Sequence, residues 1–420
     1  MKEDVKLPVF IVCGKSPIKS YGGGYSTFAI NLARILNNLG HKVFIVAIGE
    51  KNEKVELDFC TLLIFKILFF DYYTTALPSL PFSSFIFANG IKREAQEKHF
   101  AKFIIWGIGP WGLSGVYLKR EFNEKVILIN NYFTTIKHEW GGSIKALRIS
   151  DYGILKKIKF LLIYYTIVQF LTLFEERIIK RADIIVTNYR STEEILKKQF
   201  SIGQSKFFRT TFLTQVYSRQ AKEGKIVNNK DIPKKYILYL SRHDPRKGIN
   251  FLLHTMKILV EQGVTIPLVI AGTGQMLNSN KKLANKLGIH KHIKFLGFVN
   301  NSKLLLKKAE IFCFPTIEEG AGALIINEVM SLGVPIVSTE CDGIREDIKN
   351  EHSGLLVPMA NPKQMAYAIK RLLNNRSFAR NLGKNAKKDY KKRFNYFNMK
   401  QDIENLLSRV PPTLKSPRRL

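Results

Sequence analysis

Acidic residues are scarce in this chain. Only 34 Asp and Glu stand against 66 Lys and Arg among 420 residues, a formal net charge of +32 at pH 7. That excess goes beyond what folding requires and points to a polyanionic partner: nucleic acid, an anionic membrane surface or a phosphorylated substrate. Yet no six consecutive basic residues occur, which excludes a disordered basic arm. Cysteine is equally sparse. Cys13, Cys60, Cys313 and Cys341 lie far apart, form no C-x-x-C and offer no metal-ligand spacing; three of them sit in or beside apolar strand-like runs and read as small buried hydrophobes in a reducing cytosol. No glycine period or sustained heptad appears, which excludes collagen and coiled coil, and no uninterrupted apolar run reaches the ~18 residues of a membrane span.

What is present is enough to bury. Hydrophobic residues make up 45% and aromatics 11%, which excludes intrinsic disorder, and the length suits about two to three domains. The opening MKEDVKLPVFIVCG carries acidic residues and a short apolar run ending in glycine, so it reads as a first strand and not a signal peptide. Two apolar segments stand out, Thr61–Phe70 and Phe160–Phe174, the second preceded by Lys156, Lys157 and Lys159. Such a helix either lies on an anionic membrane or packs between a sheet and a neighbour.

The rhythm along the chain is that of alternating strands and helices. Leu7–Cys13 reads as a buried strand, a glycine triplet follows, a helix runs from about Thr27 to Leu39, Gly40 closes it and Lys42–Ile48 is the next strand. Further strands are expected at Phe103–Gly107, Val126–Asn130 and Asp183–Thr187, with a long helix over Ile154–Lys180. Residues 215–235 lose all apolar periodicity, and the pattern restarts with a strand at Tyr236–Leu240. The economical architecture is α/β: two doubly wound, Rossmann-like domains facing a central cleft, with ligands beyond the carboxyl ends of the strands. The expected division is an acceptor-binding domain over 1–215, a linker over 216–235, a donor-nucleotide domain over 236–393, and a helix with tail over 394–420.

Four stretches carry chemistry. In Tyr21-Gly22-Gly23-Gly24 the glycines either let a phosphate or sugar approach a helix N-terminus or form a plain tight turn; G-x-G-x-x-G is not met, because Thr27 stands where glycine would. In Ser241–Gly248 (SRHDPRKG), Arg242 and Lys247 flank a strand-to-helix turn where a guanidinium fork and an ammonium can grip a diphosphate. Gly272-Thr273-Gly274 is a second small-residue turn on the same sheet edge. The segment Thr316–Pro335 places Glu318 and Glu319 in a glycine-rich loop and Glu328 in the helix that follows, carboxylates able to accept hydrogen bonds from sugar hydroxyls.

In order, the glycine loop before NLARILNNLGHKVFIV, then SRHDPRKG, IAGTG, EEGAGALIINEVMSLGVPIVST and GLLV, resemble the nucleotide-sugar glycosyltransferases of family four, which have the GT-B fold. The resemblance is specific over 236–375, looser over 1–50 and 175–200, and nearly absent over 51–170, where the family's acceptor regions vary. It implies that Arg242 and Lys247 bind the donor pyrophosphate, Glu328 the ribose hydroxyls and Glu319 the donor sugar, and that Gly23 and Gly24 face the diphosphate. One departure stands out. The family spaces its glutamates E-x7-E, whereas eight residues separate Glu319 from Glu328. Either the loop carries one extra residue, or Gly320 takes the first slot and the sugar contact is backbone. The resemblance also implies a catalytic or sugar-binding histidine, for which His138 before Gly141-Gly142 is the candidate, and retention of configuration at the transferred sugar.

The expected function is transfer of a hexosyl group from a UDP- or GDP-sugar to a glycan or lipid-linked glycan in cell-surface polysaccharide biosynthesis. Gly272 and Gly274 are taken with the donor-binding residues, and His138 and Glu319 as catalytic. No D-x-D occurs, so no metal and no further cofactor is expected. The expected setting is cytoplasmic and peripheral at the inner face of the plasma membrane, with an anionic membrane surface as partner and no nucleic acid. The alternatives are another GT-B enzyme, such as a nucleotide-sugar epimerase or phosphorylase, or a basic membrane-surface or nucleic-acid binding protein.

Overall fold

A computed structural model of the chain describes residues 6–17, 23–67, 79–213, 232–300 and 302–410. Gly22, residues 68–70 and residues 216–231 of the expected linker lie outside the described residues. The chain divides into two compact units, one within Met1–Ile136, Gln169–Arg219 and Phe394–Leu420, the other within Lys137–Val168 and Gln220–Arg393.

The first unit is built on an eight-stranded sheet of β1 (Val9–Lys15), β2 (Val43–Gly49), β3 (Glu53–Leu57), β4 (Cys60–Lys66), β5 (Phe103–Ile108), β6 (Val126–Tyr132), β7 (Ile184–Thr187) and β8 (Phe207–Arg209). Their order is β3-β4-β2-β1-β5-β6-β7-β8, parallel except for β3, which runs antiparallel to β4 at the edge. Strands such as VILINNY are buried along their whole length, because helices cover both faces of a parallel sheet. The C-terminal helix Tyr396–Leu407 returns to this unit, where Asp402 accepts the Thr211 N–H at 2.6 Å and Tyr396 Oη accepts from Asn38 at 2.7 Å.

The second unit carries six parallel strands: β9 (Ile237–Leu240), β10 (Leu268–Ala271), β11 (Ile293–Gly297), β12 (Ile311–Phe314), β13 (Ile336–Thr339) and β14 (Leu355–Val357), ordered β11-β10-β9-β12-β13-β14. Numbered within the unit this is 3-2-1-4-5-6, the doubly wound order, and it reverses between β9 and β12. Loops leaving those two strands diverge to opposite faces, so the gap beyond their carboxyl ends is where a ligand fits. The expected α/β class with two Rossmann-like sheets is therefore found.

The sequence reading puts 1–215 in one domain, yet Lys137–Val168 clusters with the second unit. Ile144, Leu147, Tyr152 and Phe160 from this stretch share a core with Met276, while Tyr152 Oη donates to Asn280 at 2.7 Å. The long helix expected over 154–180 runs Ile154–Arg181, with a π turn at Tyr164–Val168. Its first part is buried on one side only: Phe160 faces the core, but Leu155 and Leu162 are 80% and 62% exposed.

Candidate functional site

The site grows from the loop that leaves β9. Asp244 accepts the Arg246 N–H at 3.2 Å and opens a short 3-10 turn, Pro245–Lys247, whose proline sits where no N–H is needed. Gly248 closes the turn at φ +70, and a Cβ there would stand 1.9 Å from the Pro315 carbonyl oxygen, so only glycine passes beneath the neighbouring loop. The tight turn drives Arg246 and Lys247 inward, each with an 8% exposed side chain. Arg242, at the start of the loop, stays 62% exposed.

The loop leaving β12 supplies the countercharge. Glu319, 7% exposed, forms an ion pair with Lys247 and lies 3.6 Å from Arg246 Nη1, and it accepts from Thr316 Oγ1 at 3.0 Å. Arg246 Nη1 also donates to the Glu318 carbonyl at 3.0 Å, and the Arg246 carbonyl accepts the Ile317 N–H at 2.7 Å. Main chain and side chains thus sew the two loops together across the sheet's reversal point. Asp342, after β13, adds a third strand end: its Oδ2 accepts the N–H groups of Glu319 and Gly320 at 2.8 and 3.1 Å.

Above these loops lies the helix Ile136–Arg148. His138 Nε2 is 3.0 Å from Glu318 Oε1 and 3.4 Å from Asp342 Oδ2. Burial alone would lower this histidine's pKa, but hydrogen bonds to Asp342 and Glu318 outweigh it and raise it to about 9, so the ring is an imidazolium at neutral pH. Glu139 is 2.5 Å from Arg246 Nη2 and 3.2 Å from Arg242 Nη2. Burial raises its pKa, yet Arg246 and Arg242 together pull it down to about 2. Ser143 Oγ donates to Asp244 at 3.0 Å, and Gly142 leaves room for Glu318, whose Cβ would meet an added Cβ at 2.6 Å.

Lys247 is the electrostatic outlier. Burial and the nearby Arg246 push its pKa down to about 8, and Glu319 only partly offsets them. Two adjacent buried cations that share the Glu319 carboxylate form a place where phosphate oxygens can take that carboxylate's part. Such a group binds phosphate-like charge well. Among the described residues no group of three or more His, Cys, Asp or Glu could hold a metal ion.

Of the residues expected from sequence, Arg242, Lys247, Glu319 and His138 come together in this unit. His138 meets Glu318, not Glu319, because Glu319 turns to Lys247. Gly272 and Gly274 border the same loop: Cβ atoms there would meet the Ser241 carbonyl oxygen at 1.9 Å and the His243 carbonyl oxygen at 2.7 Å. Their smallness thus lets the loop after β9 pass. Glu328 lies half-buried in the helix Leu324–Leu332. Gly23 and Gly24 begin the helix Gly23–Asn38 of the first unit. Sequence reasoning missed Arg246, Glu139 and Asp342, and named Glu318 as a sugar-facing carboxylate but not as the partner of His138. Adjacency to Lys247 and His138 was the available signal for the first two, whereas Asp342 is brought in only by strand order.

Residues 221–389 match the family model described as "Glycosyl transferases group 1". Among curated proteins, the chain is 33% identical over 174 residues to an uncharacterized glycosyltransferase of Methanocaldococcus jannaschii, covering 41% of this chain and 44% of that one. It is 30% identical over 144 residues to the phosphatidyl-myo-inositol mannosyltransferase of Mycobacterium leprae, covering 34% and 38%. The chain spans less than half the length of these two relatives. Among solved structures, sucrose-phosphate synthase of Thermosynechococcus elongatus superposes with TM-score 0.76 at 19% identity, over 96% of this chain and 99% of the other. HepE of Anabaena, solved with UDP-glucose, superposes with TM-score 0.67 at 14% identity, over 96% and 99%. The resemblance read from the motifs is borne out, and the fold is that of GT-B glycosyltransferases.

Proposed function

We propose that the chain is a glycosyltransferase that moves a hexosyl group from a UDP- or GDP-sugar, with retention, to a glycan or lipid-linked glycan in cell-surface polysaccharide assembly. The observation that carries the reading is the pair of adjacent buried cations, Arg246 and Lys247, at the reversal point of the second sheet. They lie within the segment that matches group 1 glycosyl transferases. In transfer the sugar's C1–O bond to the diphosphate breaks, C1 bonds to the acceptor hydroxyl oxygen, and that hydroxyl's proton leaves with the phosphate. The step asks mainly for neutralisation of the departing charge, which this reading assigns to Arg242, Arg246 and Lys247 and to no metal.

His138, already protonated, donates to the sugar or phosphate and does not act as a base. Glu328 is the residue for the ribose hydroxyls, on the strength of the motif. The name of the mannosyltransferase relative supports a lipid acceptor, and the UDP-glucose in the HepE structure supports a nucleotide-sugar donor. Free, buried cysteines suit a reducing compartment and hence the cytoplasmic side of the membrane. The basic residues are dispersed and form no nucleic-acid reading module, so nucleic acid is left out of the partners.

The test is a thermal-shift panel of UDP, GDP and their hexose conjugates on the full chain, followed by transfer assays with the donor that binds. Arg242→Gln, at an exposed position, is expected to fold normally and to lose about tenfold or more in donor affinity, the weight of a hydrogen bond to a charged group. Wild-type affinity in that variant, or no response to any sugar nucleotide, would overturn the assignment. Conversion of the donor without any acceptor would point instead to an isomerase.

A further inference from the structure

The helical stretch Ile154–Val168 presents two unlike faces. Phe160, with Leu161 and Tyr164 beside it, packs on Ile144, Leu147 and Met276 and fixes the stretch to the second unit. The opposite face is apolar and bare: Ile154, Leu155, Ile158, Leu162 and Tyr165 are all exposed, Leu155 most of all at 80%. Ile154, Ile158, Leu162 and Tyr165 recur every three to four residues, with Leu155 flanking the first two, and so share one side of the helix. A contiguous exposed stripe of this kind on a soluble face is a docking surface unless something covers it.

The surroundings say what covers it. Lys159 within the helix, and Lys145 and Arg148 on the preceding one, are exposed. The helix Leu277–Lys286 adds Lys281 and Lys282, also exposed, at the point where Lys156 donates to Ser279. Exposed cationic residues thus stand on the stripe's own helix and on the two elements that share its core, in a chain of net charge +32. A second copy would bring like charge against like charge, which disfavours self-association through this face. Crossing a bilayer would strip Phe160 from its core and bury the lysines in hydrocarbon. An anionic bilayer surface satisfies both features, accepting the apolar stripe at the acyl boundary and the lysines among the headgroups.

We infer that the exposed apolar face of Ile154–Tyr165, together with the exposed Lys145, Arg148 and Lys159, seats the protein on an anionic lipid bilayer. The inference stands apart from the donor reading, because vesicle binding requires no turnover. The experiment is co-sedimentation of the full chain with vesicles of phosphatidylcholine alone, or of phosphatidylcholine and phosphatidylglycerol in equal parts.

Wild type is expected to pellet with the anionic vesicles and to stay in solution with the neutral ones. Leu155→Gln/Leu162→Gln, at positions that make no core contact, should lose binding while keeping the wild-type circular dichroism and Tm. Lys145→Gln/Arg148→Gln/Lys159→Gln should weaken it by about fivefold per residue, on the order of a hundredfold together. Two results would overturn the inference. One is wild-type pelleting with anionic vesicles that is no greater than the leucine variant's. The other is light scattering that shows a wild-type dimer made monomeric by the leucine substitutions, which would assign the face to a second copy.

Discussion

Replacing Lys247 by Met leaves Glu319 charged, 7% exposed and without its principal partner. Breaking a buried pair from one side costs about 3–5 kcal/mol. Here the low end applies, since Glu319 keeps the Thr316 hydroxyl at 3.0 Å and Arg246 Nη1 at 3.6 Å. The converse change, Glu319→Gln, is gentler. Lys247, already pushed down to about 8, sheds its proton near neutral pH once the carboxylate is gone, and Phe314 lies 5.4 Å away as a soft partner. The double variant Lys247→Met/Glu319→Gln removes both charges in side chains of similar volume and should recover all but about 1–2 kcal/mol. In calorimetry, the second unit should melt about 6–12 °C lower in Lys247→Met, at roughly 2–4 °C per kcal/mol, and within a few degrees of wild type in the double variant. A double variant as unstable as the two singles summed would refute the coupling on which the site's electrostatics rest.

Two further outcomes follow from the geometry. His138 has its pKa raised to about 9 from an ordinary 6.5, so its contribution is full below pH 6.5 and disappears as pH rises through 9. In urea unfolding, the stability gap between wild type and His138→Gln should therefore be widest, up to about 3 kcal/mol, near pH 6 and close by about pH 10; a gap that does not change with pH would contradict the paired imidazolium. Gly248→Ala puts a Cβ 1.9 Å from the Pro315 carbonyl at φ +70 and should cost upwards of about 2 kcal/mol in the same assay, whereas an unaltered melt would show that the turn relaxes freely.

The strands that matter were legible because a parallel sheet covered on both faces demands unbroken apolar runs, as in IFCF at β12 and VILINNY at β6. Arg242, Lys247 and Glu319 were legible because strand-to-helix turns mark the carboxyl edge of such a sheet. The role of Glu318 and Asp342 was not, since it depends on which strands become neighbours, and β13 lies beside β12 only through the crossover. The allegiance of Lys137–Val168 was equally hidden. Its apolar residues read the same whichever core they enter, and only the contact of Phe160 and Leu147 with Met276 decides. The helix at 154–168 shows the ambiguity in its sharpest form: an apolar run gives no sign of how many of its faces are covered.

The cluster around Lys247 holds its carboxylates and its cations in near balance, with His138, Arg242, Arg246 and Lys247 facing Glu139, Glu318, Glu319 and Asp342. A ligand entering here performs an exchange and does not fill a vacancy. Under the donor-binding reading, phosphate oxygens must displace Glu319 from Lys247, so affinity is the difference between two ion pairs. A singly charged anion gains too little from such an exchange, whereas a diphosphate, engaging several cations at once, gains on each. On that reading the internal carboxylates set a valence threshold, one that favours a nucleoside diphosphate over the small anions of a cell.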